Sequence, residues 1–226
     1  MPEIWIPYGD VEVSVDINAE NLHSIIQNNN KNIDIEEITE KIKKIKINQT
    51  FMIILGDIST QTITVCKELL NILNNEKSIN KIQIFAMQKN KELQNSITKF
   101  NKINEIIYIN KKIKNILKEK IHTEKIIFIS EASFNPLFGF NGGPITLAKI
   151  LDEQLISEVF YSQKLSLPNP GNNKIGQIIE EKYQKYNNII SIELIAEDND
   201  NICEIEIGKL NDVHKLIKNI LNKNIK

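Results

Sequence analysis

The chain has 226 residues, of which 41% are hydrophobic, enough to build a full core in one large domain. Its 28 basic and 29 acidic residues give a formal net charge of -1, so no global field attracts nucleic acid or an anionic membrane. Cys66 and Cys203 lie far apart without a C-x-x-C pair, which disfavours a disulfide framework and a structural zinc site. The first residues show no basic region followed by an apolar stretch, and no run of about 18 apolar residues occurs, so neither secretion nor a membrane span is expected. We therefore expect one cytoplasmic domain, residues 1–226, without nucleic-acid or membrane partners.

The first elements predicted along the chain are a β-hairpin and a surface helix. Ile4–Ile6 and Val11–Val15 alternate apolar and polar residues, and Pro7–Asp10 between them is typical of a turn. After the polar stretch Asn28–Asn32, apolar residues from Ile35 to Ile45 recur at the spacing of an amphipathic helix.

The middle of the chain alternates short apolar strands with helices. The predicted strands are Thr50–Leu55, Lys81–Ala86, Glu105–Ile109 and Lys125–Ser130. The helical patterns between them are Val65–Leu73, Leu93–Phe100 and Ile113–Ile121. This alternation predicts βαβ units, and therefore an α/β fold with a doubly wound, mostly parallel sheet.

The last part of the chain is predicted to end in an antiparallel hairpin at one edge of the sheet. An irregular segment, Glu131–Pro144, precedes a single predicted helix from Ile145 to about Phe160. The elements predicted after it are a Pro/Gly/Asn loop at 166–176, a helix at Ile178–Tyr186, strands at Ile189–Ala196 and Ile202–Ile207 around a turn at 197–201, and a helix from Asp212.

The loop after the first parallel strand is one candidate binding site. Ligands of open α/β sheets bind beyond the carboxyl ends of the strands. Here Asp57, Ser59 and Thr60 offer a carboxylate and two hydroxyls beside a helix N-terminus, a combination that can hold a phosphate or a ribose. The alternative is structural, because Ser59 or Thr60 can simply cap the following helix.

The glycine-rich segment Phe140–Pro144 is the second candidate. Gly142 and Gly143 lack the side chain that would keep a ligand from the backbone, and Asn141 adds a polar group beside them. The segment is neither a dinucleotide fingerprint nor a P-loop, since G-x-G-x-x-G and G-K-[ST] are absent. A structural turn, with Pro144 opening the next helix, explains it as well.

The remaining chemically active side chains are expected to have structural or surface roles. We expect His23, His122 and His214 at the surface, because each lies in or beside a helical pattern with charged neighbours. Cys66 falls in an apolar pattern and is expected in the core, and Lys149 is expected on a solvated helix face. No nucleophile is visibly paired with a base.

The order of three segments resembles the N-terminal domain of the nickel-dependent lactate racemases. Ile6–Asp10 followed by Val13–Val15 looks like the opening of that family, and Leu55–Thr60 looks like its first loop. Gly139–Gly143 is similar to the family's Gly-Phe-Ser-Gly-Gly segment. The similarity runs the length of this chain but covers only the family's N-terminal domain.

The resemblance implies a nickel-pincer nucleotide tethered to a lysine, with histidines that bind nickel or move the substrate proton. The family's Arg-Lys after Gly-Gly is replaced here by Pro144 and Ile145, and Thr60 replaces a family arginine. Its histidine positions fall at Asn135–Leu137, at Met87–Lys89, and at Phe160 or Tyr161. We therefore expect no catalytic residue, metal or cofactor in this chain, because Asn, Leu and Pro neither bind nickel nor change protonation state.

Three hypotheses of function follow. The first is a degenerate racemase-like domain that binds a small ligand, or a protein partner such as a second copy, without turnover. The ligand would contact Asp57, Ser59, Thr60 and Asn141–Gly143. The second is a 2-hydroxy acid racemase or epimerase half-site that a second chain completes. The third is an enzyme of different chemistry in which Asp57 acts as a base.

Overall fold

The structure is a computed structural model of the chain. It describes residues 3–8, 11–16, 32–45, 51–76, 79, 81–162, 173–196 and 201–224. Several predicted features lie outside these residues: Gly9 and Asp10 of the first turn, His23, Asn28–Lys31, residues 166–172 of the Pro/Gly/Asn loop, and residues 197–200 of the last turn. None of the described helices is long and apolar enough to cross a membrane.

A six-stranded, mostly parallel sheet is the centre of the fold, as the sequence predicts. Its strands are β3 (Phe51–Leu55), β4 (Ile82–Ala86), β5 (Ile103–Tyr108), β6 (Ile126–Glu131), β9 (Ile189–Ala196) and β10 (Ile202–Lys209). They lie in the order β10-β9-β6-β3-β4-β5, and only β10 runs antiparallel to its neighbour. The predicted antiparallel hairpin at one edge of the sheet is therefore confirmed.

Helices cover both faces of this sheet. They are α1 (Ile35–Lys43), α2 (Thr60–Asn75), α3 (Lys91–Ile97), α4 (Lys111–Lys120), α5 (Gly143–Leu151), α6 (Glu153–Ser162), α7 (Lys174–Tyr183) and α8 (Leu210–Asn224). The first three pack on one face, around core residues such as Ile53 and Leu69, and α4 to α8 pack on the other, around Phe128 and Ile145. Cys66 is fully buried in the first core, as predicted.

The N-terminal hairpin is also confirmed. Strands β1 (Glu3–Tyr8) and β2 (Val11–Asp16) pair antiparallel, with Ile4 opposite Val15 and Ile6 opposite Val13. These strands belong to one compact unit, and the other described elements as far as Asn222 belong to a second.

Two predicted boundaries are wrong. The helix expected from Ile145 to Phe160 is two helices, because the backbone leaves the helical region at Asp152, which has φ -137° and ψ 62°. The Asp152 carboxylate then accepts the Leu155 amide, 3.4 Å away, and caps α6. The predicted loop at 166–176 already contains the first turn of α7, which the Asn173 side chain caps.

The irregular segment after β6 contains a small hairpin. Strands β7 (Phe134–Asn135) and β8 (Gly139–Phe140) pair antiparallel. The Asn135 side chain accepts the amides of Leu137 and Phe138 at 2.9 and 3.1 Å, which closes the turn between the strands.

An ion pair is buried between β9 and α8. Glu193 is 0% exposed and His214 is 1% exposed, so the expectation that His214 lies at the surface is wrong, whereas His122 is exposed. Glu193 Oε1 lies 2.7 Å from His214 Nδ1, and Glu193 Oε2 has no hydrogen-bond partner among the described residues. The pairing with His214 is therefore what offsets the burial of the Glu193 charge.

Charges around His214 favour its protonated form. Burial opposes protonation, but Glu193 on β9 and Glu180 on α7 outweigh it and raise the pKa of His214 to about 9. Glu180 lies 3.6 Å from His214 Nε2 and also pairs with Lys218 of α8 at 2.7 Å. Burial raises the pKa of Glu193, and His214 opposes that shift.

We predict a pH-dependent contribution of His214 to stability. His214→Gln should lower the free energy of unfolding by about 3 to 5 kcal/mol at pH 7, because Glu193 keeps a buried charge without a counter-ion. The folded pKa of about 9 lies above the ordinary value of 6.5, so the contribution is complete below pH 6.5 and is lost as the pH rises through 9.

Urea unfolding of both proteins between pH 6 and pH 10 measures this contribution. The difference between them should shrink above pH 9, because the native protein then also holds Glu193 without a cation. A difference that stays constant over this range would contradict the ion-pair assignment.

We also predict that α7 tolerates no side chain at Gly176. A Cβ there would lie 2.1 Å from the backbone oxygen of Phe138, so Gly176→Ala should destabilise the fold by about 1 to 3 kcal/mol. Gly208→Ala is the matched control, because its Cβ would meet only Val213 Cγ2 at 3.2 Å. Equal denaturation midpoints for the two variants would contradict this packing.

Candidate functional site

The order of the strands reverses between β3 and β6. From β3 the chain proceeds to β4 and β5 on one side of the sheet and then returns to form β6 on the other side of β3. The loops that leave the carboxyl ends of β3 and β6 therefore diverge to opposite faces, and ligands of open α/β sheets bind at this point. We call the space beyond these two strand ends the switch-point cleft.

Two carboxylates lie at the switch-point cleft, one after each strand. Asp57 follows β3, and its Oδ2 accepts a hydrogen bond from the backbone N–H of Glu131 at 2.9 Å. Glu131 is the last residue of β6 and carries the second carboxylate. The first carboxylate thus fixes the backbone from which the second projects.

The loop between β3 and α2 is closely packed. The Gly56 amide bonds to Ile129 O at 2.8 Å, and a Cβ on Gly56 would lie 2.8 Å from both Phe128 and Thr146. Only glycine therefore fits between β6 and α5 at this position, and this packing sets where Asp57 lies.

Ser59 both caps α2 and acts on the second carboxylate. Its side chain accepts the Thr62 amide at 3.2 Å, and the Thr62 hydroxyl accepts the Ser59 amide at 3.0 Å, which completes a capping box. The Ser59 hydroxyl also favours the charged form of the Glu131 carboxylate and so opposes the rise of its pKa. The structural interpretation of Ser59 is confirmed, and the same hydroxyl lies at the switch-point cleft.

Lys149 brings a cation to the cleft. Every other residue of α5 is buried, whereas Lys149 is half-buried. Helical side chains point toward the helix N-terminus, and the Lys149 amine reaches back to hydrogen-bond Asn141 Oδ1. The amine also lies 4.6 Å from the centre of the Phe138 ring, within the range of a cation–π contact. The solvated position expected for Lys149 is therefore not observed.

Asn141 is held between two side chains. Its Oδ1 accepts from Lys149, and its Nδ2 donates to Ser133 Oγ at 3.3 Å. The backbone N–H of Asn141 also donates a hydrogen bond to the backbone oxygen of Ser133 at 2.8 Å. Asn141 is therefore fixed where β7 and β8 meet the start of α5.

The charged groups of the cleft shift one another's pKa values. Burial raises the pKa of Asp57, although the Glu131 amide and Lys149 oppose the shift. Burial and the charge of Asp57 raise the pKa of Glu131, although the Ser59 hydroxyl opposes them. Burial lowers the pKa of Lys149, and Asp57 restores part of it. Such shifts concentrate where groups bind ligands or move protons.

The structure brings together only some of the residues that the sequence proposed. Asp57, Ser59 and Asn141 lie at the switch-point cleft, whereas Thr60 is exposed in the first turn of α2. The two glycines of the second loop are buried against the ion pair. A Cβ on Gly142 would lie 2.3 Å from Glu193 Oε1, and one on Gly143 would lie 2.8 Å from Glu193 Oε2.

These two glycines have a structural reason to be glycine. Gly142 has φ +99° and Gly143 has φ +41°, both in the left-handed region. The Gly143 amide donates to the buried Ser130 Oγ at 3.0 Å. The structural alternative for this segment therefore accounts for both glycines.

Sequence reasoning missed Glu131 and Lys149. Glu131 ends an apolar strand at the same edge as Asp57, which is a signal that could have been used. Lys149 is the only charged residue in the helix sequence GPITLAKIL, and a lysine in an otherwise buried helix indicates a special environment.

The residues of the cleft do not fit the nickel centre that the resemblance implies. Nickel in proteins favours imidazole and thiolate ligands, whereas the cleft presents carboxylates, hydroxyls, one amide and one amine. Nowhere among the described residues do three or more His, Cys, Asp or Glu side chains form a group able to hold a metal. The only buried histidine of the described ranges, His214, is engaged by Glu193.

A hollow lies elsewhere on the molecule. It has a volume of about 580 Å³ and is lined by α1, β9 and β10, including Lys41, Lys44 and Lys209. Lys41 is already paired with Glu204 at 3.1 Å and bonded to Ile205 O at 2.7 Å. The amine of Lys41 is therefore already satisfied within this hollow.

Comparison with known proteins places this fold. No protein-family profile matches the sequence. No curated protein matches it either. Two solved structures are similar in fold. One is the lactate racemase apoprotein from Thermoanaerobacterium thermosaccharolyticum, with TM-score 0.63, 16% identity, and 97% of this chain and 62% of that chain covered. The other is a protein from Thermotoga maritima, with TM-score 0.62, 12% identity, and 85% of this chain and 59% of that chain covered.

These similarities agree with the resemblance seen in the sequence. This chain spans about three fifths of the length of both solved proteins. At such low identity the likeness establishes the fold and leaves the chemistry to be argued from the side chains. The chain has a lactate racemase N-terminal-domain-like fold.

Proposed function

We propose that this chain is a ligand-binding domain that holds a small hydroxylated molecule in the switch-point cleft and does not racemise it. The observation that carries the proposal is the convergence of Asp57, Glu131 and Lys149 at the point where the strand order reverses. Carboxylates accept hydrogen bonds from hydroxyl groups, and Ser59 and Asn141 add neutral partners.

The rigidity of the cleft supports binding. Asp57 is fixed by the Glu131 amide, Ser59 by its capping box and Asn141 by Ser133 and Lys149. Pre-ordered polar groups lose little conformational freedom when a ligand arrives, so more of the interaction energy becomes affinity.

We infer the absence of racemisation from the chemical groups that the switch-point cleft contains. Racemisation of a 2-hydroxy acid by proton transfer requires a base that removes the proton from carbon and an acid that returns one to the opposite face, a task that groups on both faces of the carbon serve best. Asp57 and Glu131 belong to adjacent parallel strands, and both project from the same edge of the sheet. The imidazole of His214, the buried histidine of the described ranges, is engaged by Glu193, and the thiol of Cys66 is buried in the core.

We predict no racemase activity for the purified chain. D-lactate and L-lactate incubated separately in D₂O with the protein should keep their configuration and acquire no deuterium at C2. Chiral chromatography with mass detection measures both quantities, and the Thermoanaerobacterium enzyme in its active form is the positive control. Deuterium at C2 above the level without protein would refute the non-catalytic assignment.

We predict that ligand binding maps to the cleft and depends on Asp57. A panel of neutral polyols and 2-hydroxy acids, tested by amide NMR shifts, should perturb Glu131 and Asn141 in at least one case. Asp57→Asn should weaken that binding about tenfold or more, because hydrogen bonds to charged groups contribute about 1.5 to 3 kcal/mol.

Asp212→Asn is the matched control, since Asp212 is an exposed carboxylate at the start of α8. It should leave affinity unchanged. Shifts confined to the hollow beside Lys44, or equal affinity in both variants, would contradict a site at the switch-point cleft.

A second candidate function is a half-site that another chain completes. The observation that favours it is an apolar rim at the same edge of the sheet. Met87, Phe134 and Leu137 follow the ends of β4 and β6 and are 39%, 41% and 47% exposed. Exposed apolar groups around a polar cleft are typical of surfaces that dock a partner.

This second candidate makes a separate prediction. Size-exclusion chromatography with light scattering, on protein isolated from its native cells, should reveal a co-purifying chain whose binding Leu137→Asp weakens. Leu216→Asp on α8, a residue that is 51% exposed, is the control. A monomer without any co-purifying chain favours the self-contained ligand-binding domain.

A further inference from the structure

We propose that Lys149 forms a Schiff base with a small hydroxylated aldehyde or ketone in the switch-point cleft. This inference rests on the proposed function and names the chemical class of its ligand. It assigns to the Lys149 amine a covalent role in capture and to Glu131 and Asp57 the movement of protons.

The position of the amine is the first argument. All 28 basic residues of the chain are lysines, yet Lys149 alone interrupts the buried helix α5. The side chain is half-buried, and its amine lies against Asn141 Oδ1 and 4.6 Å from the centre of the Phe138 ring. Lysines partly removed from water are the ones that proteins use as Schiff-base nucleophiles.

The electrostatics agree with this position. Burial lowers the pKa of Lys149, which increases the fraction of neutral amine near neutral pH, and only the neutral amine attacks a carbonyl. Asp57 opposes the shift, so neutralising Asp57 should make the amine more reactive. The contact with Asn141 Oδ1 orients the amine, and Phe138 covers one side of it.

The carboxyl groups supply the proton transfers that Schiff-base formation needs. Burial raises the pKa of Asp57 and of Glu131, so this pair can hold a proton closer to neutral pH than exposed carboxyls do. The charge of Asp57 adds to the rise in the pKa of Glu131.

The reaction balances without any further reactant. The Lys149 nitrogen attacks the carbonyl carbon, a C–N bond forms, and the carbonyl oxygen takes a proton from a carboxyl group. The nitrogen loses a proton to the carboxylate so formed. The hydroxyl then leaves as water after taking that proton, the C–O bond breaks, and the nitrogen lone pair forms the C=N bond of an iminium ion. The N–H proton of the iminium ion returns to the carboxylate, which leaves the neutral imine and restores the carboxyl group. Amine and carbonyl compound thus give an imine and water, with no oxidant or reductant.

The surrounding charges select the carbonyl compound. Asp57 and Glu131 repel an anionic ligand such as a 2-oxo acid, whereas they accept hydrogen bonds from hydroxyl groups. The hydroxyls of Ser59 and Ser133 and the amide of Asn141 add neutral partners. A neutral hydroxyaldehyde or hydroxyketone of a few carbons therefore matches the cleft better than an oxo acid.

Reductive trapping tests the inference. The full chain is incubated near neutral pH with a limiting amount of glycolaldehyde and cyanoborohydride, and peptide mass spectrometry then gives the adduct at each lysine. The adduct should form first at Lys149, ahead of exposed lysines such as Lys112 of α4. Lys149→Met should abolish this early adduct, and Lys112→Arg should not change it.

Further comparisons separate the roles of the groups. Asp57→Asn should increase the fraction of neutral Lys149 amine at a given pH, because the charge of Asp57 opposes the lowering of its pKa. Glu131→Gln should slow adduct formation at Lys149, because it removes a carboxyl group that donates the proton. Glyoxylate, the anionic analogue, should label Lys149 more slowly than glycolaldehyde does. Circular dichroism and the thermal midpoint of each variant show whether it is folded.

The outcomes distinguish this inference from the proposed function. Glycolaldehyde adducts spread evenly over the exposed lysines, or faster labelling of Lys149 by glyoxylate, would overturn the Schiff-base inference. Amide shifts at Glu131 and Asn141 with glycerol, which has no carbonyl, test cleft binding independently. If glycerol changes the amide shifts of Glu131 and Asn141 while Lys149 remains unlabelled, the result supports ligand binding in the cleft and contradicts the Schiff base.

Discussion

The hydrogen bond from the Glu131 amide to the Asp57 carboxylate is the contact on which the candidate site depends. It joins the ends of β3 and β6, the two strands between which the sheet order reverses. The bond fixes the backbone of Glu131 beside Asp57, and the glycine before Asp57 lets α5, which carries Lys149, pack closely against this loop. The charge of Asp57 then acts on the Lys149 amine. The cleft is thus a consequence of sheet topology as much as of its own side chains.

A second polar cluster lies behind the cleft and serves a different purpose. Glu193 and His214 form a buried pair under the turn that starts α5, and Gly142 and Gly143 leave just enough room for it. This pair supports the backbone that carries Asn141 toward the cleft. The polar residues of this face therefore divide into a set that faces the cleft and a set that holds the turn in place.

Sequence patterns predicted the strands well because parallel strands are buried on both faces, so their sequences are continuous apolar runs. They failed where a tertiary contact decides the outcome. The break at Asp152 depends on a side-chain cap, and His214 lies inside because it shares a helix face with Leu210, Val213 and Ile217. Lys149 and Glu131 come together only through the sheet order, which no local pattern contains. Asp57 and Ser59 could be proposed because each directly follows an apolar strand.

The central claim is that the Lys149 amine is partly removed from water and lies within the influence of the Asp57 carboxylate. NMR titration of the lysine Cε resonances, with Lys149 assigned through Lys149→Arg, measures this directly. We predict that Lys149 titrates at lower pH than the exposed lysines, and lower still in Asp57→Asn, because burial lowers its pKa and Asp57 opposes the shift. A Lys149 titration that coincides with that of the exposed lysines in both proteins would contradict the account.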